Sequence, residues 1–203
     1  MSMPTSRPTV IDLSVAPGAR ETWDVPGWKV YAWGVVELLL VSNPWQISSR
    51  LRRAALIAFG ARIGQGVLLR PRLRVRFPWK LQIGDRSWIG EDVWLHNQDR
   101  LVIGSDVVVS QGTFITTGSH AHRRDMALIT RPVVIEDGAW ITARCIVLGG
   151  SRIGVSALVS PGTVVDGAVP PGMIFGQGTG RVLRPRFPEA VTGDVRAAPD
   201  TSG

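Results

Sequence analysis

From Ile63 onward the apolar positions of the chain recur every six residues. An aliphatic residue is followed four positions later by a smaller one at Ile63/Val67, Ile83/Ser87, Ile89/Val93, Ile103/Val107, Val109/Thr113 and Ile115/Ser119. After a gap the pattern resumes in phase at Ile135/Ala139, Ile141/Cys145, Val147/Ser151, Ile153/Ala157, Val159/Thr163 and Val165/Val169. A helix repeats every ~3.6 residues and a half-buried strand every second one, so a period of six predicts neither; it predicts a solenoid of short strands joined by turns. Three hexads close one triangular coil, with the first residue of each pointing into the prism and the fifth small enough to fill a corner. Gly64, Gly84, Gly90, Gly104 and Gly154, each directly after an aliphatic residue, are expected to supply the backbone freedom of those turns.

Coils then begin near Ile63, Ile83, Ile103, Ile135 and Ile153, at spacings of 20, 20, 32 and 18 residues. The shortest spacing is the bare coil, two extra residues make a small bulge, and fourteen extra make a protruding loop over about 121–134, immediately after His120. Irregular loops of that length are uncommon in compact domains unless they serve function. The predicted fold is an all-β solenoid of about five triangular coils.

The repeat is absent from both ends. Residues 1–22 are polar and rich in Pro, Ser and Thr, and 188–203 have a similar composition, so both are expected to be disordered. Residues 23–60 carry two apolar segments, WKVYAWGVVELLLV and WQISSRLRRAALIAF, separated by Ser42, Asn43 and Pro44. Both read as helices, the second N-capped near Ser42 or Asn43. Trp23, Trp28, Trp33 and Trp45 lie here beside Arg50, Arg52 and Arg53, which suits a cap on the open end of the solenoid or packing between subunits, and also, compatibly, peripheral contact with a membrane. Residues 61–187 form the solenoid domain.

Charge and cysteine usage narrow the setting. Of 203 residues 23 are Lys or Arg and 16 Asp or Glu, a net charge of +7, which favours anionic partners without choosing among them. Arg70, Arg72, Arg74 and Arg76 alternate with inward Leu69, Leu73 and Val75 and read as a solvated outer wall or as an attraction to an anionic substrate or headgroups. The single cysteine, Cys145, rules out an intramolecular disulfide. It occupies a corner position, as a filler rather than a nucleophile. Trp79, Trp88 and Trp94 read as wall or packing residues. The longest apolar stretch, Tyr31 to Val41, falls well short of a bilayer crossing and contains Glu37. With no secretory leader in the polar N-terminus, the expected location is the cytoplasm, with peripheral membrane association through the N-terminal helices as an option.

The stretches FGARIG, RFPWKLQIGDRSWIGEDVWLHN, TTGSH, RPVVIEDGAWITA and GRVLRPR, spread over about residues 23–187, resemble the hexapeptide-repeat acyltransferases. More narrowly, the chain resembles their colanic-acid-biosynthesis acetyltransferase (WcaF-like) branch. The resemblance implies a left-handed parallel β-helix, a homotrimer, and acetyl-CoA as co-substrate bound in a groove between subunits. It also implies acetyl transfer to a hydroxyl acceptor, and it assigns no metal. His120, at the TGSH position, would be the general base. Asn97 would face the acceptor pocket, with His96 beside it where relatives commonly have tyrosine; Thr116 stands where relatives commonly have cysteine. The amide of Ala143 would hold the thioester oxygen and Trp140 would line the pantetheine side. Pro161 and Gly162 count among the cofactor-binding residues, and Arg181 and Arg184 would meet the nucleotide phosphates.

Elementary chemistry agrees with these roles. A sugar hydroxyl is a poor nucleophile near neutral pH, so attack on a thioester needs a base that titrates there, and histidine suits it. The developing oxyanion needs fixed donors, which backbone amides of a stiff solenoid supply, and arginines hold phosphates with paired N–H groups. The acceptor is expected to be a sugar, an exopolysaccharide precursor or lipid-linked saccharide, with serine or a xenobiotic as alternatives. Rival readings are a zinc enzyme of the carbonic-anhydrase kind on His96, His120 and His122, and a non-catalytic scaffold. Nucleic-acid binding is suggested by charge alone and lacks any aromatic-basic reading motif.

Overall fold

The computed structural model of the protein describes residues 10–18 and 20–176 and the strand Arg181–Pro185; of Glu21 and of residues 181–185 the backbone alone is described. Short parallel strands stack on three faces of a prism. On face 1 the residues Ile63, Ile83, Ile103, Ile135, Ile153 and Val169 lie in register one above the other. Face 2 runs from Leu68–Leu69 through Trp88–Ile89, Val108–Val109, Trp140–Ile141 and Leu158–Val159 to Met173–Gly176, against which Arg181–Pro185 returns antiparallel. Face 3 holds Arg74–Val75, Trp94–His96, Phe114–Thr116, Ile146–Val147 and Val164–Val165. The inward residues of all three faces form one continuous buried core.

The coil count of five is corrected to six, the last incomplete. Ile153 pairs with Val169, a coil two residues shorter than the bare one, so the hexad slips. Val169, read as a corner filler, instead opens a further coil. Pro171–Gly172 forms that coil's corner.

The glycines that follow the aliphatics serve a different purpose from the one expected. None of the five has a positive φ. A Cβ on Gly84 would lie 2.6 Å from Gly104 C and Ser105 N, and one on Gly154 2.5 Å from Pro171 N. These positions are glycine because the next coil's backbone sits against them. The left-handed corner falls two residues further on, where Gly66, Arg72, Arg86, Asp92, Asp106, Gly112, Gly138, Arg144, Ser156, Gly162 and Gly172 all have φ between 56 and 69°. Side chains there bridge coils, Arg72 to Asp92 at 2.7 and 2.8 Å and Arg86 to Asp106 at 2.7 and 2.6 Å.

The first helix, α1 (Gly27–Val36), continues into one π turn, Glu37–Val41. The second, α2 (Ser49–Ala58), is capped by Ser48, whose Oγ accepts from Leu51 N at 3.3 Å. Ser42 and Asn43, expected to cap it, close the preceding segment: Ser42 Oγ donates to Glu37 O, and Asn43 Oδ1 accepts from Trp45 N. Together the helices cover the open edge of the first coil, whose backbone groups have no neighbouring strand on that side. Arg53 donates to the carbonyls of Ile63 and Gly64, and buried Arg52 to those of Val41 and Leu69. Trp33 Nε1 donates to Val75 O, Glu37 Oε1 accepts from Val75 N, and Ser49 Oγ accepts from Leu69 N. The capping role is thus a property of the fold.

The loop expected over 121–134 is a β-hairpin. Gly118–His120 pairs antiparallel with Leu128–Thr130, and Val133–Ile135 has already rejoined face 1. Ser119, expected at a buried corner, is exposed on the hairpin.

Candidate active site

The hairpin leaves the prism where face 3 turns into face 1. Its base fits closely against the following coil: Arg131 N donates to Thr117 O at 2.8 Å, and a Cβ on Gly149 would come within 2.9 Å of the same oxygen. A cleft of about 500 Å³ opens here, lined by Ser119, His120, His122, Arg123, Arg124 and Ile129 from the hairpin, and by Arg131, Leu148, Gly149 and Asp166 from the coils. His120 is exposed at the end of its strand, and its Nδ1 lies 2.8 Å from the carbonyl oxygen of Met126. A carbonyl can only accept, so Nδ1 carries the proton, and in the neutral ring the lone pair is on Nε2. Met126 has φ +57°, the bend that turns its carbonyl toward the ring.

His122, the weaker base candidate, lines the same cleft, and its backbone N–H donates to His120 O. His96 lies elsewhere, in the outer layer of face 3, with its ring packed against Trp94 and Phe114 and its Nδ1 3.2 Å from Thr116 Oγ1. Partial burial, aided by the nearby charge of Arg76, pushes its pKa below the usual histidine value. Asn97 is corrected from the acceptor pocket to the interior. It is fully buried, its Oδ1 accepting from Phe77 N at 3.2 Å and its Nδ2 donating to Phe77 O at 2.7 Å. Both ends of the amide are used in tying the first coil to the second. Within the chain the three histidines do not converge on one point.

The residues implied for the cofactor gather on another corner, between faces 2 and 3. Trp140 lies on the outer surface of face 2, its Nε1 donating to Ser110 Oγ at 3.0 Å. Ala143 follows at the turn: its carbonyl accepts from Gly162 N at 3.0 Å, and its own N–H has no hydrogen bond among the described residues. Pro161 and Gly162 form the same corner one coil further along. Arg181 and Arg184 are on the strand that pairs with Gly176 and Ile174 at the end of face 2; their side chains lie outside the described part. Buried Cys145 fills the corner below, its Sγ 3.2 Å from Ser160 O. The histidine cleft and the residues implied for the cofactor therefore lie on different corners of one chain.

Sequence reasoning missed Met126, Arg131, Gly149 and Asp166. None of them shows in the hexads: Val147 and Ile153 stay six apart across Gly149, and Asp166 directly follows the in-phase Val165.

A parallel solenoid broken at one corner by a histidine-bearing hairpin is the architecture of a hexapeptide-repeat acetyltransferase. The chain is 32% identical over 159 residues to the Escherichia coli (strain K12) protein named for colanic acid biosynthesis, acetyltransferase WcaF, covering 78% of this chain and 87% of that one. It belongs to this acetyltransferase family. The hexapeptide-repeat acetyltransferase VCA0836 of Vibrio cholerae, solved with acetyl coenzyme A, superposes with a TM-score of 0.71 at 25% identity, covering 78% of this chain and 87% of that one. The galactoside O-acetyltransferase of Escherichia coli (strain K12) is 20% identical over 147 residues, 70% of this chain and 71% of that one. No family model matches the chain. Among the described residues no helix is long and apolar enough to cross a membrane.

Proposed function

We propose that the protein is an O-acetyltransferase that moves acetyl from acetyl-CoA to a hydroxyl of a sugar, an exopolysaccharide precursor or lipid-linked saccharide. The observation that carries this reading is the imidazole of His120, held by Met126 O in the tautomer that leaves Nε2 basic at the cleft. Nε2 takes the acceptor's proton as its oxygen attacks the thioester carbonyl. The C–O bond forms, the carbonyl electrons move onto oxygen, and the unengaged N–H of Ala143 stabilises that oxyanion. Collapse breaks the C–S bond, and the leaving thiolate takes the proton from the imidazolium, giving acetyl ester and CoA. The Nδ1–H to Met126 contact stabilises the imidazolium between the two steps.

His120 and Ala143 stand on different corners, so one site is built from two copies, as in a homotrimer of prisms. Supporting this, the outward ladders on faces 2 and 3 are largely apolar: Leu68, Trp88, Val108, Trp140, Leu158 and Ile174 on one, and Trp94, Phe114, Ile146 and Val164 on the other. Side-by-side packing would bury both. Trp140, Pro161 and Gly162 then line the coenzyme side of the groove, and Arg181 and Arg184 reach the nucleotide phosphates.

The test is acetyl-CoA turnover followed by thiol release against nucleotide sugars and lipid-linked oligosaccharides. His120→Ala is expected to lower kcat by about 10²–10⁴ while the protein stays folded. Unchanged turnover in the folded variant would overturn the assignment.

A further inference from the structure

The two N-terminal helices present their charges inward and their apolar side chains outward. On α1 and the π turn that follows, the charged residues are Lys29 and Glu37. Lys29 Nζ sits 5.4 Å from the Trp79 ring, and the carboxylate of Glu37 accepts from Val75 N at 2.7 Å. Trp33 and Val41 point into the core. The opposite stripe, Trp28, Tyr31, Val35, Leu38 and Leu39, is exposed and carries no charge; Trp28 is 70% and Leu38 67% exposed. The connection to α2 continues it with Trp45 at 89% and Ile47 at 84%. On α2 itself Arg52 and Arg53 turn inward to carbonyls of the cap and the first coil, leaving Leu51, Ala54 and Ile57 outside beside Arg50. A helix apolar all round is normally buried all round.

Location and charge decide what covers this face. The helices bond to carbonyl or amide groups on all three faces of the first coil, so their outer surface is the end of the prism. Copies packed side by side along the prism do not reach it. Between Gly27 and Gly84 stand ten basic side chains and a single acidic one, Glu37, a net +9 within a chain whose total is +7. Arg62, Arg70 and Arg76 are exposed on the first coil, around the apolar end, as is Arg50 on α2, while Arg74 lies over the Trp94 ring of the second coil. A second copy meeting this end head-on would bring two such arginine sets together, which like charge opposes. An exposed apolar stripe with tryptophan, ringed by arginine, matches the interface of a bilayer with anionic headgroups.

We propose that the capped end of the solenoid docks on an anionic lipid bilayer. The outward stripe of α1, with Trp45 and Ile47, enters the headgroup boundary, and Arg50 of α2, with Arg62, Arg70 and Arg76 of the first coil, meets the lipid phosphates. Cyclic symmetry about an axis along the prisms would set every copy's cap in one plane, multiplying the contact. The proposal stands apart from acetyl transfer, because its readout is partition and not turnover.

The full-length protein is mixed with vesicles of phosphatidylglycerol and phosphatidylethanolamine, and separately with phosphatidylcholine alone, then sedimented at low and raised salt. Binding is expected to the anionic vesicles, weakened by salt, and little to the zwitterionic ones. The exposed double substitution Leu38→Ser, Trp45→Ser should lower partition about tenfold or more. Its melting temperature and turnover of a soluble acceptor should not change. No partition into anionic vesicles, or equal partition of the variant, would overturn the proposal. Self-association without lipid that the same substitutions abolish would overturn it too, by assigning the face to a second copy.

Discussion

At the scale of single residues, the chemistry rests on which groups are left unpaired. Ala143 occupies the corner position that Pro71, Pro161 and Pro171 hold elsewhere, each directly before a left-handed residue. Proline before a positive φ is the favoured pairing of a type II turn. Ala143→Pro is therefore expected to delete the N–H with the fold retained, lowering kcat about 10²–10³ at unchanged melting temperature. A large fall in melting temperature would show that the corner does not accept it. His96 makes a pH prediction. Its depressed folded pKa means that, as pH falls below the unfolded value near 6.5, the unfolded chain takes up a proton that the folded chain resists. Stability is therefore expected to fall from that point downward, and to be indifferent to His96 above it. Melting of His96→Gln at pH 5 and pH 7.5 checks this, because the variant should lose less on acidification than the parent. The place of His120, exposed beside a protrusion, was legible from TGSH and the phase break. The burial of Asn97 was not, because nothing in the order of residues says that its amide would be used up on Phe77.

At the scale of strands and corners, the hexads tell which residues point inward but not why each glycine is glycine. Gly84 is pressed against the next coil, while Gly162 has φ +69° and open space where a Cβ would go. Gly162→Ala should cost about 1–2 kcal/mol, the strain of a left-handed alanine. Gly84→Ala must push two backbones apart, and should reach or pass the upper end of the ~1–3 kcal/mol typical of overpacking. Urea midpoints of the two variants decide the order. The same logic separates predicted from observed at the protrusion. Its place was readable from a 32-residue spacing, yet its hairpin pairing of Ser119 with Ile129 has no trace in a six-residue period. At the N-terminus two apolar segments with Trp and Arg signalled helices, while the turn of Arg52, Arg53 and Glu37 toward the first coil depended on edge groups that only the assembled coil presents.

At the scale of the whole molecule, the proposed site takes His120 and Ala143 from different corners, so on that reading activity belongs to the oligomer. If each site takes the imidazole from one copy and the amide from its neighbour, two inactive variants can complement. His120→Ala and Ala143→Pro chains, unfolded and reassembled together in equal amounts, should regain about a quarter of the parental turnover, since that fraction of random neighbours pairs two intact halves. Mixtures no better than either variant alone would place both groups in one copy's site.

A period of six in aliphatic and small residues determined the solenoid, its three faces, and the corner where it breaks, because burial on a repeating strand imposes itself on every copy of the repeat. The TGSH stretch placed a histidine at that break. Tertiary structure decided the rest. A sixth coil arose from a slip of two residues, Asn97 went to the interior, Met126 O chose the tautomer of His120, and two corners split the site. Each of these depends on contacts between coils, and a linear pattern does not record which backbone groups a neighbouring coil will leave free.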